Sequence, residues 1–253
     1  MKKLKIILLL SALAMSLSCY KIRDSLNRTP EPKYAPPIAD LPKNIENASP
    51  DSHFWEEKAV VVSSLSKNSY YVGNSEYPLD EVGHKISRML TENPSEQSLI
   101  YLNLNAISEF GEATKILDTI RKTDSENVGL MAYRTDRAVG TDIGVLKVKI
   151  PAEPKMDDDD SVYSNRQLLQ LKKGGKIFFG STDAKGIEKL DKTETKEEEV
   201  AGKISQILSG KDNKTFYIKS LRSSRYIDVV RLINTATGAG ASTVYLQIDD
   251  LDD

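Results

Sequence analysis

The feature that most constrains this chain is a degenerate internal repeat. Tyr70-Tyr71-Val72-Gly73 recurs as Ile177-Phe178-Phe179-Gly180, an offset of 107 (177 less 70). Lys85-Ile86-Ser87 returns as Lys203-Ile204-Ser205 at an offset of 118, with Met89-Leu90 matched by Ile207-Leu208. Ile116-Leu117 corresponds to Leu232-Ile233, and Val128-x-Leu130 to Val244-x-Leu246, both at 116. The offset drifts but the order of the matches never reverses, as it would for two diverged copies separated by small insertions and deletions. A period of this length is far beyond the roughly 20–50 residues of a solenoid repeat. Two copies of a whole small domain are therefore expected.

Each copy predicts the same order of elements. In the first, Val60 to Leu65 and Tyr70 to Gly73 are β-branched and aromatic runs separated by a Lys67-Asn68 turn. Leu79, Val82, Ile86, Met89 and Leu90 follow at helical spacing, with Pro78, Asp80 and Glu81 favouring the helix start. Leu99 to Leu104 reads as a strand. Phe110, Ala113, Ile116, Leu117 and Ile120 line one face of a second helix with Ser108 as its expected cap, and Val128 to Tyr133 closes the unit. The second copy offers Leu168 to Leu171 and Ile177 to Gly180 around a Gly174-Gly175 turn. A helix carrying Val200, Ile204, Ile207 and Leu208 comes next, then a strand at Phe216 to Ile218. A helix carrying Tyr226, Val229, Val230 and Ile233 and a last strand at Val244 to Ile248 complete it. The fold class predicted is α/β (α+β), with two tandem ββαβαβ units, each a two-layer sandwich with helices on one side. One larger α+β domain is the alternative.

The 253 residues are 39% hydrophobic and 28% charged, which excludes a polytopic membrane protein and suits soluble domains with modest cores. A net charge of −2 lacks the basic surface that displaces counterions from nucleic acid. The N-terminus adds an export signal. Lys2, Lys3 and Lys5 precede an apolar run from Ile6 to Leu17 that contains no Asp or Glu. Twelve helical residues reach roughly 18 Å, short of a ~30 Å hydrocarbon core. Ser16-Leu17-Ser18-Cys19 resembles a bacterial lipobox, with Ser16 where Leu or Val is commoner, and makes Cys19, the sole cysteine, the expected lipid attachment site. An ordinary cleaved signal with an incidental cysteine and an uncleaved anchor are the other two readings. Six of the ten prolines fall within residues 30–50, an extended spacer. The expected organisation is a signal peptide at 1–18, a proline-rich linker at 19–52, a first domain at 53–134, a linker at 135–160 and a second domain at 161–250.

The second copy carries recognisable residues. Thr215-Phe-Tyr-Ile-Lys-Ser-Leu-Arg, Tyr226-Ile-Asp-Val-Val-Arg-Leu-Ile and Ala239-Gly-Ala-Ser-Thr-Val-Tyr-Leu resemble the C-terminal periplasmic domain of the ExbD/TolR family. Leu146-Lys-Val-Lys-Ile-Pro-Ala-Glu resembles the segment that precedes that domain, and Asp40-Leu41-Pro42-Lys43 is its weaker echo before the first copy. The resemblance implies an envelope protein facing the periplasm, anchored by lipid to the inner or outer membrane. Its partners would be an ExbB/TolQ-type channel, other envelope proteins or peptidoglycan, in a biopolymer-transport or envelope-integrity system. Family members carry a proton-bearing Asp in a spanning helix. The apolar segment here holds no such Asp, so proton transfer is not carried over. Since family domains pair as dimers, the tandem implies an intrachain pseudo-dimer, with residues 135–145 as the spacer. The alternative is a structural peptidoglycan- or protein-binding lipoprotein unconnected to a motor.

No catalytic, metal or cofactor constellation is expected, so the chain reads as a binding protein and not an enzyme. Asp157 to Asp160 lacks the alternating ligands of a calcium loop, and Glu194 to Glu199 reads as a solvated helix entry. Gly238-Ala239-Gly240 lies between a helix and a strand, the reverse of a phosphate loop, and reads as a helix stop. His53 and His84 stand apart, and no Gly-x-Ser-x-Gly elbow occurs. Phe54-Trp55 either packs under the first domain or meets a partner. An exposed sheet edge is the expected binding surface, by strand addition.

Overall fold

The computed structural model describes residues 38–39, 60–66, 68–73, 75–92, 99–105, 107–123, 125–134, 143–153, 164–249 and 251. All of them belong to one compact unit spanning 36–253. A two-residue strand β1 (Ile38–Ala39) comes first. The chain then runs β2 (Val60–Ser66), β3 (Ser69–Val72), β4 (Ser75–Tyr77), α1 (Leu79–Glu92), β5 (Ile100–Leu104), α2 (Phe110–Arg121) and β6 (Asn127–Arg134). After β7 (Ile143–Lys149) the same order returns in the second half. It runs β8 (Gln167–Lys172), β9 (Lys176–Thr182), β10 (Glu188–Leu190), α3 (Glu197–Leu208), β11 (Thr215–Ser220), α4 (Tyr226–Gly238) and β12 (Thr243–Leu246). The fold is mixed α/β: one large mixed sheet and, among the described residues, four α-helices.

The repeat is kept at the level of strand register. Val61 pairs with Tyr101 and Leu168 with Tyr217; Tyr101 pairs with Gly129 and Tyr217 with Tyr245. Ser63 opposes Tyr71 as Gln170 opposes Phe178. The offset of 107 thus holds through the first hairpin and 116 holds from β5 onward. The difference arises between β9 and α3, where the turn into β10 is longer. Asn68 takes φ 63° in the first hairpin turn, and Gly174 and Gly175 take φ 78° in the second, the conformation that glycine adopts without a Cβ penalty.

Alternation decides which side is covered. Val60, Val62, Ile100, Leu102, Val128 and Leu130 lie in the same hydrophobic cluster as Phe216, Ile218, Val244 and Leu246, and that cluster also holds the apolar faces of all four helices. The helices therefore pack on one face of the sheet. Ile86 and Ile204, matching positions in α1 and α3, are both fully buried there. The opposite face carries a small cluster of Tyr101, Met131 and Val145 with Val61 and Leu99 against it in the first half, and buried Leu168 beside the stacked Tyr217–Tyr245 pair in the second.

The full order across the sheet is β10-β9-β8-β11-β12-β7-β6-β5-β2-β3-β4. Within each half the three inner strands are parallel and the outer hairpins antiparallel. Four strands depart from expectation. Residues 143–149, inside the expected 135–160 linker, form β7, which pairs antiparallel with β6 over its whole length and meets β12 in parallel at Tyr245–Lys149. Leu146, Val148 and Ile150 join the helix-side core, so this segment gains buried apolar area that a solvated spacer would forgo. Each half also adds a third hairpin strand, β4 or β10, and β1 pairs parallel with the end of β6. The expected cap of α2 is absent as well: Glu109 is its N-cap, with no side-chain capping bond.

Candidate functional site

The two halves meet at the loops that lead into α2 and α4. The Phe110 N–H donates to the Ser224 carbonyl at 2.7 Å, and the Tyr226 N–H donates to the Ser108 carbonyl at 2.8 Å. Each donor and each acceptor has its repeat counterpart on the other side, so the pair is reciprocal, and Glu109 and Arg225 form an antiparallel bridge between them. Ser108 thus serves through its carbonyl rather than as a cap. The Gly111 N–H adds a bond to the Arg222 carbonyl at 2.8 Å. A Cβ on Gly111 would lie 3.3 Å from Arg222 Cβ, a tight contact that would push the Arg222 loop back by a few tenths of an ångström.

Phe110 and Tyr226 follow directly on this bridge, and both are completely buried. Tyr226 differs by one hydroxyl, which has no hydrogen-bond partner among the protein atoms, and burial pushes its phenol pKa far up. A buried donor without a partner costs about 1–3 kcal/mol. Tyr226→Phe, which installs the residue the first half already uses, is expected to raise stability by about 1 kcal/mol in denaturant unfolding.

A second tie joins the halves at the far end of α2. Arg121 donates to both carboxylate oxygens of Asp249, at 2.6 and 3.0 Å, and also to Asp118, which Lys122 holds from its other oxygen at 2.7 Å. Desolvation raises the Asp118 pKa, but the hydrogen bonds from Lys122 and Arg121 outweigh it and the net shift is downward.

The halves differ in one place where side chains converge. In the first, the nearly buried Tyr70 directs its hydroxyl to Glu112 Oε2 at 3.4 Å, while Lys115 Nζ bonds Glu112 Oε1 at 2.9 Å. Burial, then the Glu112 charge, raises the Tyr70 pKa. The counterparts are Ile177, Asp228 and Arg231. Ile177 has no ring to fill the space, and a cleft of about 640 Å³ opens between the Gly174-Gly175 turn and the start of α4. Leu171, Ile177, Val200 and Leu232 form its floor; Lys173, Ser223, Ser224, Arg225 and Arg231 stand among its lining, with Glu197 and Asp228. Asp228 takes two bonds from Arg225, both at 2.8 Å, and Arg231 lies 3.8 Å away.

Of the charged runs, glycine triplet, histidines, cysteine and Phe54-Trp55 pair singled out in the sequence, only Glu197 lines this cleft. Cys19, His53, Phe54-Trp55 and Asp157 to Asp160 lie outside the described residues. His84 is exposed on α1, and Glu194 and Glu197 to Glu199 are exposed at the entry to α3. Gly240 takes φ 104° just after α4 and closes the helix by donating to the Thr237 carbonyl, as a helix stop does. The sheet edges are three-residue strands bearing Glu76 at one end and Glu188 and Lys189 at the other, a form that discourages strand addition. Among the described residues no His, Cys, Asp and Glu group could hold a metal ion, and no helix is long and apolar enough to cross a membrane. The sequence signal for the cleft is the replacement of Tyr70 by the ringless Ile177, in a tetrapeptide pair that shares apolar character and its glycine. No protein-family model, no curated protein and no solved structure matches this chain.

Proposed function

We propose that the chain is an exported envelope protein, anchored by lipid at Cys19, built from two tandem ExbD/TolR-like two-layer sandwiches that pair within the chain as a pseudo-dimer. It works by binding, as an accessory of an ExbB/TolQ-type motor and its periplasmic partners, and neither catalyses a reaction nor carries protons itself. The supporting observation is the reciprocal bridge, in which the Phe110 and Tyr226 amides each bond to a serine carbonyl of the other half. Two equivalent surfaces that satisfy each other's backbone donors are what a two-fold interface uses. The third hairpin strand of each half extends the ββαβαβ unit without altering the order of its remaining elements.

Cross-linking followed by purification from solubilised membranes tests the role. Recovery of a channel subunit supports the motor accessory, whereas recovery with cell-wall sacculi alone replaces it with a structural lipoprotein. The anchor is tested by labelling cells with a radioactive fatty acid. Label is expected in the wild type and absent from Cys19→Ser, and equal labelling of the two rejects lipidation at that residue.

A further inference from the structure

We propose that the cleft of the second half is a binding site for a peptide end, an apolar residue bearing a free carboxylate, and that the first half holds the same site in a closed form, plugged by Tyr70. The inference is independent of the envelope role.

The plug shows what the space accepts. In the first half it is filled by an apolar ring with a polar head, and the head meets the Glu112–Lys115 pair. In the second half the ring is gone and the apolar floor of Leu171, Ile177, Val200 and Leu232 remains. A ligand that replaces the ring must also be a compact apolar group with a polar head. The nature of that head is inverted between the halves. Glu112 and Lys115 neutralise each other and leave an acceptor for the Tyr70 hydroxyl. Asp228 instead faces two guanidinium groups, Arg225 and Arg231, which leaves one positive charge and most of their N–H donors in excess. Elsewhere in the lining Lys172 and Lys173 outnumber Glu197, so the excess there is positive as well. The head must therefore accept hydrogen bonds and carry negative charge, and a carboxylate fits a guanidinium in a bidentate way.

The volume, about 640 Å³, lies within the usual range for small-ligand clefts. The hydroxyls of Ser223, Ser224 and Thr235 beside a short apolar floor suit a peptide end, whose amide needs polar partners, rather than an alkyl chain.

Calorimetric titration of the full chain with N-acetyl-alanyl-leucine, as the free acid and as the C-terminal amide, tests this. The acid is expected to bind saturably with one site per chain, and the amide at least tenfold more weakly. Ile177→Tyr, which copies the plug, is expected to abolish binding while the thermal transition is retained. Arg231→Glu, at a half-exposed position, is expected to weaken the acid at least tenfold and serves if the first variant does not fold. Absence of acid binding, equal binding of acid and amide, or affinity unchanged in either folded variant overturns the proposal. Decanoate binding in place of the dipeptide overturns the peptide assignment.

Discussion

Phe110→Ala is expected to lower stability by about 3–5 kcal/mol, the usual cost of deleting a fully buried phenylalanine. The side chain has no solvent exposure and begins α2 at the point where its own amide bonds to Ser224 of the other half. Its loss leaves a cavity in a core cluster that runs without interruption through both halves. The unfolding curve is therefore expected to shift as one transition, with far-UV circular dichroism and tyrosine fluorescence moving together. Two resolved transitions, with only the first sensitive to the substitution, would show that the halves fold separately. Such a result would also remove the support that the reciprocal bridge lends to a pseudo-dimer.

The second large effect is expected at Arg121. Arg121→Ala removes a bidentate bond to Asp249 and a bond to Asp118, which strands the Asp249 carboxylate and leaves Asp118 with Lys122 alone. Breaking a fully buried pair costs about 3–5 kcal/mol, but the Asp249 and Asp118 side chains here keep 30% and 36% of their exposure. Solvent screening reduces the expected loss to about 2 kcal/mol. The same cluster sets an acid limit. The folded Asp118 pKa lies below its unfolded value, so its contribution is complete above about pH 4 and is lost as pH falls through the folded value. Denaturant midpoints measured downward from neutral pH are expected to fall in this acid window. Asp118→Asn is expected to shrink the fall, and an identical acid profile in that variant would assign the loss to other carboxylates.

The elements were largely legible because each is amphipathic at its own period. Val82, Ile86, Val200 and Ile204 recur at helical spacing and are buried as that spacing requires; Val60 and Val62, like Phe216 and Ile218, alternate as half-covered strands do. The β7 segment falls in the expected linker at 135–160, because its counterpart before the first copy is only the short echo Asp40-Leu41-Pro42-Lys43. Its role is to lie between two sets of parallel strands that run in opposite directions, antiparallel to β6 and parallel to β12, and that need arises only once the halves are placed together. Strands β4 and β10 escaped notice for another reason. They are three residues long and largely polar, and their backbone hydrogen bonds to a neighbouring strand, not their side chains, make them strands.

The binding surface was the least legible feature. Of the charged runs only Glu197 reaches it, and neither histidine marks it, because residues that build a cleft need only converge in space. Arg225, Asp228 and Arg231 lie at the N-cap and in the first two turns of α4, but Ile177 reaches the same cleft from a strand about fifty residues earlier in the chain. The repeat, with its drifting offset, by itself determined that the chain would build the same order of strands and helices twice, since hydrophobic period and turn residues act over a few neighbours. The tertiary structure alone decided that the halves share one sheet, that Phe110 and Tyr226 bond across the seam, and that Tyr70 closes a space which Ile177 leaves open. Those outcomes depend on which surfaces bury one another, and burial between distant segments leaves no local mark on the sequence.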